Sequence, residues 1–131
     1  MNRINVSSTS PYEKMVGFSR AVRIGNLICV AGTGPVGDDG ETVGKTDAYA
    51  QAKRCLEIIR RSIEEAGGKI EDVFRTRIYV TDMERWEDIS RAHGEMFADI
   101  RPACTLVEVS RLVRPEWYVE IEADCFLSEQ K

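Results

Sequence analysis

The segment from Tyr118 to Phe126 carries three acids, Glu120, Glu122 and Asp124, at every second position between two aromatics. Side chains in an extended strand alternate between faces, so these residues share one face and Val119, Ile121, Ala123 and Cys125 share the other. A carboxylate row bounded by aromatics suits either proton-transfer chemistry or contact with a partner subunit. Read plainly, each acid is an ordinary strand residue on a wet or interfacial face. Gly32-Thr33-Gly34-Pro35 ends a β-rich run with glycines that leave backbone N–H groups open to approach, although a short glycine loop is also a simple strand terminator. His93 is the sole histidine and falls within an apolar helical stripe, which reads as a packed residue with one satisfied nitrogen or as a subunit-boundary residue. The cysteines at 29, 55, 104 and 125 show neither CxxC nor Cys/His ligand spacing. No metal site follows from them, and no histidine partner for a nucleophilic Cys104 can be read from the spacing.

The run from Arg101 to Phe126, RPACTLVEVSRLVRPEWYVEIEADCF, resembles the C-terminal signature of the RidA/YjgF family of reactive-intermediate deaminases. That family is also known as the liver perchloric-acid-soluble proteins. The shared residues are Pro102, Ala103, Val107, Glu108, Val109, Arg111, Leu112, Glu120, Ile121, Glu122 and Ala123. The resemblance runs in order from about Gly17 to Phe126. It implies that Glu120 positions the water attacking an imine carbon, and that backbone near Gly32 and from Cys104 through Thr105 to Leu106 holds substrate. It places an aromatic lid at Tyr12 or Phe18 and implies a homotrimer with ligand clefts between subunits, working without metal or organic cofactor. One departure matters: the family's carboxylate-clamping arginine falls on Cys104, and a thiol cannot reproduce the planar bidentate fork. The chain thus resembles a divergent branch lacking the clamp. Arg20, whose strand parity matches Phe18, is the substitute cation we select.

These residues need elements to position them. Met1 to Tyr12, with four Ser/Thr residues before Pro11, reads as a flexible polar arm without regular structure. Phe18 to Ile24 and Leu27 to Ala31 form a hairpin about Gly25-Asn26, and Glu41-Thr42-Val43 adds a short strand. Thr46 or Asp47 caps a helix to Ala66, with Ala48, Ala52, Cys55, Ile59, Ile63 and Ala66 as its apolar stripe and Gly67-Gly68 as its stop. Val73 to Thr81 is a strand with Phe74, Thr76, Ile78 and Val80 on one face. A second helix follows Thr81 or Asp82, with Thr81 and Glu84 as a capping box and Trp86, Ile89, His93, Met96 and Phe97 as its stripe. Arg101-Pro102 ends it, Ala103 to Leu112 is a β-rich run, Arg114-Pro115-Glu116 is turn chemistry, and Tyr118 to Leu127 alternates as a strand. The order β-β-(β)-α-β-α-β-β makes an α+β two-layer sandwich, two helices on one face of a mixed sheet, the RidA-like (chorismate mutase-like) arrangement. The opposite face is left for solvent or assembly.

With 131 residues and a net charge of −4, the chain fits one domain and offers nucleic acid no electrostatic footprint. No apolar run approaches the roughly 20 residues that span a membrane, and no h-region opens the chain. A cytoplasmic protein with reduced thiols is expected. Three readings follow: a hydrolytic deaminase of enamines or imines acting on a small molecule, a non-catalytic ligand-binding or interaction trimer, and an endoribonuclease by the family's traditional label. An acidic chain with one packed histidine gives the last little physical support.

Overall fold

A computed structural model of the chain describes residues 2–128. Its elements are β1 (Arg3–Val6), α1 (Pro11–Val16), β2 (Ala21–Ile24), β3 (Leu27–Thr33), α2 (Ala48–Glu65), β4 (Val73–Val80), α3 (Trp86–Phe97), β5 (Ala103–Glu108) and β6 (Val119–Phe126). Short 3-10 turns precede β4 and α3. The strands form one six-stranded sheet in the order β1-β2-β3-β6-β4-β5. β4 and β5 run parallel across the α3 crossover, and the other neighbours are antiparallel. Three helices against a mixed sheet give the expected two-layer α+β architecture, with one helix more than the periodicity predicts.

The core lies between α2, α3 and one sheet face. On β6, Val119, Ile121, Ala123 and Cys125 are all buried, as a period of two demands. Opposite them lie Ala48, Ala52, Cys55, Ile59, Ile63 and Ala66 of α2, each at most 1 % exposed. The helix also buries Gln51, whose amide donates to the carbonyls of Gly44 and Glu116 and accepts from the Tyr118 N–H. This side chain ties the start of α2 to the start of β6, which satisfies a polar group that burial would otherwise penalise.

Several expectations need correction. Met1 lies outside the described residues, but the segment from Asn2 to Tyr12 is not an arm without regular structure: Arg3–Val6 pairs with β2 and Val6 is buried. Pro11 does not break structure but opens a helix, because Ser10 accepts the Tyr12 N–H as its cap and proline suits the first turn. Glu41–Val43 forms only an isolated bridge, Val36 to Thr42. Thr81 is not a helix cap: its hydroxyl donates to the Trp117 carbonyl, and Asp82 caps the turn before α3. Phe74 is exposed because the β4–β6 register shifts between Val73 and Arg75, which turns Val73 inward instead. Trp86 is likewise exposed at the start of α3. The first strand of the hairpin, β2, starts at Ala21 rather than Phe18, and β5 stops at Glu108 rather than Leu112.

Candidate functional site

Glu120 sits near the start of β6, on the face opposite the core. Between Val30 and Thr33 of β3 the register with β6 slips by one residue, from Val30↔Ala123 to Thr33↔Ile121. A bulge of this kind re-aims side chains and opens room beside a strand. The Glu120 carboxylate fills that room over Gly32, where any Cβ would collide with it. Gly34 plays the same part for Trp117, whose ring lies where a Cβ would stand. The two glycines of the Gly-Thr-Gly run are therefore required by close approach of two side chains, a reason the sequence alone does not disclose.

A cavity of about 480 Å³ opens here within a single protomer. Phe18, Arg20, Gly32 and Glu120 line it, and Tyr12, Ile58, Trp117 and the Ser7–Ser10 segment complete its walls. Arg20 is only 4 % exposed. Its Nη2 donates to the Gly32 carbonyl at 2.7 Å, and its guanidinium lies 5.2 Å from the centre of the Phe18 ring. Its Nε makes no hydrogen bond, though the Glu13 carboxylate stands 3.8 Å away. Glu13, also buried, accepts from both the backbone N–H and the hydroxyl of Ser8. The N-terminal segment over the cavity is thus tied through Glu13 to the cation beside Glu120.

The electrostatics follow from burial. Loss of water pushes the Glu120 carboxyl above its ordinary range, Arg20 draws it partly back, and Glu122 pushes it up again. Desolvation likewise lowers Arg20, against the attraction of Glu13 and Glu120. A carboxyl moved toward neutrality and held in a concave site is a group suited to accepting and returning a proton. Glu122 on the same face is engaged differently, accepting from the Tyr79 hydroxyl.

The roof of the cavity is fixed by Arg114, in the loop before β6. It donates to the Tyr12 hydroxyl at 2.9 Å, to Thr42 Oγ1 at 3.1 Å and to the Gly40 carbonyl at 2.9 Å. The Trp117 indole N–H also donates to Thr42 Oγ1, and the Tyr12 and Trp117 rings meet edge to face at 6.2 Å. Thr42 in turn donates to Glu116, which holds that carboxyl below its usual range. None of Glu13, Ile58, Arg114 or Trp117 carried a site signal in the sequence, because each acts through contacts made only in the folded chain. Tyr12 and Phe18 both line the cavity, so the two aromatic lid candidates share it.

Cys104 and Thr105 lie elsewhere. Cys104 stands in register with Thr76 on edge strand β5, which places it on the helix-bearing side, opposite Glu120. It lines a shallow groove of about 410 Å³ with Met83, Trp86, Ser90, His93 and Leu106. Thr105 stands beside Arg77 on the open face and is exposed. His93 is packed: its Nε2 is 2.9 Å from the hydroxyl of buried Thr76, its ring is 4.6 Å from that of Phe97, and burial lowers its pKa. Among the described residues no cluster of His, Cys, Asp or Glu has the arrangement of a metal site, and no helix is long and apolar enough to cross a membrane.

Comparison with known proteins agrees with this architecture. The family model described as endoribonuclease L-PSP matches residues 9–126. A RutC family protein of Pyrococcus abyssi is 34% identical over 116 residues, covering 88% of this chain and 91% of its own. The 3-aminoacrylate deaminase RutC of Acinetobacter baylyi is 33% identical over 101 residues, 77% of this chain and 79% of that one. A crystal structure from Mycobacterium tuberculosis, described as a member of the YjgF/YER057c/UK114 family, superposes with a TM-score of 0.86 at 45% identity, covering 96% of this chain and all of the other. The YjgF gene product of E. coli gives a TM-score of 0.83 at 27% identity, covering 94% and 98% of the two chains. With a family model spanning nearly its whole length and relatives of this closeness, the chain belongs to the endoribonuclease L-PSP family, which embraces the YjgF and RutC proteins.

Proposed function

We propose that the protein is a hydrolytic deaminase of reactive imines or enamines, with Glu120 as its proton-transferring group. The observation that carries this is the juxtaposition of a desolvated carboxyl with a buried arginine in one concave cavity. Water held by Glu120 adds its oxygen to the imine carbon while a proton passes to nitrogen. The resulting carbinolamine then collapses: the C–N bond breaks, the carbonyl forms, and ammonia leaves. Arg20, with an Nε that makes no hydrogen bond, takes the anchoring task that Cys104 cannot perform. The deaminase name of the Acinetobacter relative is consistent with this reading.

The open sheet face supports assembly as a homotrimer. Ile24, Leu27 and Phe126 stand in register across β2, β3 and β6, and all three are exposed. A contiguous apolar row of this kind is a surface awaiting cover, and a second copy of the chain would also bring new side chains toward the clefts. The second reading, a binding trimer without catalysis, is favoured by one observation: Cys104 replaces the arginine clamp implied by the resemblance.

Imines generated in situ from a panel of amino acids and amines distinguish the readings. Wild type should speed the decay of at least one imine and Glu120→Ala should not. Inert wild type alongside an active Cys104→Arg would favour the binder, and inactivity of all forms would remove hydrolytic deamination as the function.

A further inference from the structure

We infer that the preferred substrates of this cavity are imino acids with a bulky apolar side chain, of leucine or phenylalanine size, rather than three-carbon enamines. The inference rests on the deaminase reading and deepens it. Its first support is size. A cavity of about 480 Å³ falls within the roughly 300–1,000 Å³ typical of sites for drug-sized ligands. A three-carbon substrate would leave most of it to water.

The second support is the chemistry of the walls. Phe18, Ile58, Val113 and Trp117 present apolar surface in the same cavity as Glu120 and Arg20. Trp117 is 3 % exposed and locked by its bond to Thr42 and its edge contact with Tyr12, so this wall is preformed. Preformed apolar walls favour ligands that fill them, since binding then orders little and displaces confined water. The rings do not form a cage for a cation. Arg114 already lies 5.5 Å from the Tyr12 ring centre and 5.6 Å from that of Trp117, and Arg20 lies 5.2 Å from that of Phe18. Guanidinium groups on these rings satisfy their electron-rich faces and repel a cationic ligand.

A carboxylate fits the other end of such a substrate. Arg20 is the cation in direct contact with Gly32, above which Glu120 lies. A 2-imino acid held there presents its imine carbon, one bond from the carboxylate, to the region of Glu120, and its side chain to the apolar wall. Hydrolysis converts it to the 2-keto acid and ammonia, consuming one water and needing no oxidant or reductant.

The test uses the full-length protein and two readouts. Calorimetric titration with pyruvate, 4-methyl-2-oxopentanoate and phenylpyruvate reads binding of the stable products. Keto-acid release from imines of alanine, leucine and phenylalanine, generated by an amino-acid oxidase, reads catalysis. We expect the two larger keto acids to bind at least about tenfold tighter than pyruvate, and their imines to be accelerated by a similar factor over that of alanine. Ile58→Phe, which narrows the cavity, should erase the preference. Equal or reversed preference among the ligands in wild type overturns the inference whether or not that variant folds. Tighter binding of the large keto acids with no acceleration of any imine would sink the deaminase reading while leaving the size preference standing. Acceleration confined to the alanine-derived imine would do the reverse.

Discussion

The Glu120 cavity and the Cys104 groove are separate hollows built on strands two apart in one sheet, and they differ in the burial and the partners of the groups they hold. The cavity is built on a central strand at a bulge, and it encloses a buried cation and a carboxyl pushed toward neutrality. The groove is built on an edge strand, and its thiol is exposed beside Met83 and Trp86. Its histidine is committed to Thr76 and Phe97. Low dielectric and fixed partners make a charged group consequential in the first setting and cheap in the second. Two positions from one contiguous sequence signature thus end in sites of very different potential. A motif gives the residues but not the environment that decides what they do.

The sharpest way to break this contrast is to remove each side chain in turn. Glu120→Gln should lower imine hydrolysis by about 10²–10⁴-fold, the usual weight of a positioned proton-transfer group. Cys104→Ser should change it by less than about tenfold. Comparable losses would show that the two sites work as one, completed across a subunit boundary. Next in size is Arg20→Met, which should weaken 2-keto acid binding by about 10–100-fold through loss of a charge-assisted contact. It should also destabilise the fold by about 2 kcal/mol, because Glu13 is left buried without its cation. Adding Glu13→Gln should recover the melting temperature and not the affinity. That split separates anchoring from mere packing.

Glycines sharpen the same comparison. Gly34→Ala would drive a methyl into the Trp117 ring and should cost about 1–3 kcal/mol in denaturant unfolding. Gly94, which lines the groove on α3, has open space around the same added carbon. Gly94→Ala should therefore stabilise the helix by about 0.5–1 kcal/mol. The smallest expected effect is the pH dependence of Glu120. Its pKa is raised in the folded state, so the protein carries no penalty below the unfolded value. The penalty develops as pH rises through the folded value. Glu120→Gln should raise the melting temperature at pH 7, and the gain should shrink as pH falls to the ordinary range of a glutamate carboxyl.

The residues that were legible are those governed by short-range periodicity. The two faces of β6 and the stripe of α2 follow from spacings of two and of three to four, and the fold confirms both. Glu120, Arg20, Gly32 and Phe18 were all named from the sequence, and the fold brings them to one cavity. What was not legible depends on tertiary register. Phe74 and Val73 exchange roles at a bulge, and β1 exists because β2 offers it an edge. Cys104 could not be assigned a face, since that is fixed by parallel pairing across the α3 crossover. Arg114 and Glu13 gave no local signal, because what they do is hold Tyr12 and Arg20. Ser10-Pro11 was readable as a helix start, yet its serine-rich neighbourhood argued for an arm.

The most direct test of the contrast is a crystal soaked with phenylpyruvate. The account predicts density in the cavity, with the carboxylate against Arg20, the keto carbon toward Glu120 and the ring against Phe18 and Trp117. Ligand seated in the Cys104 groove, with the cavity empty, would contradict it.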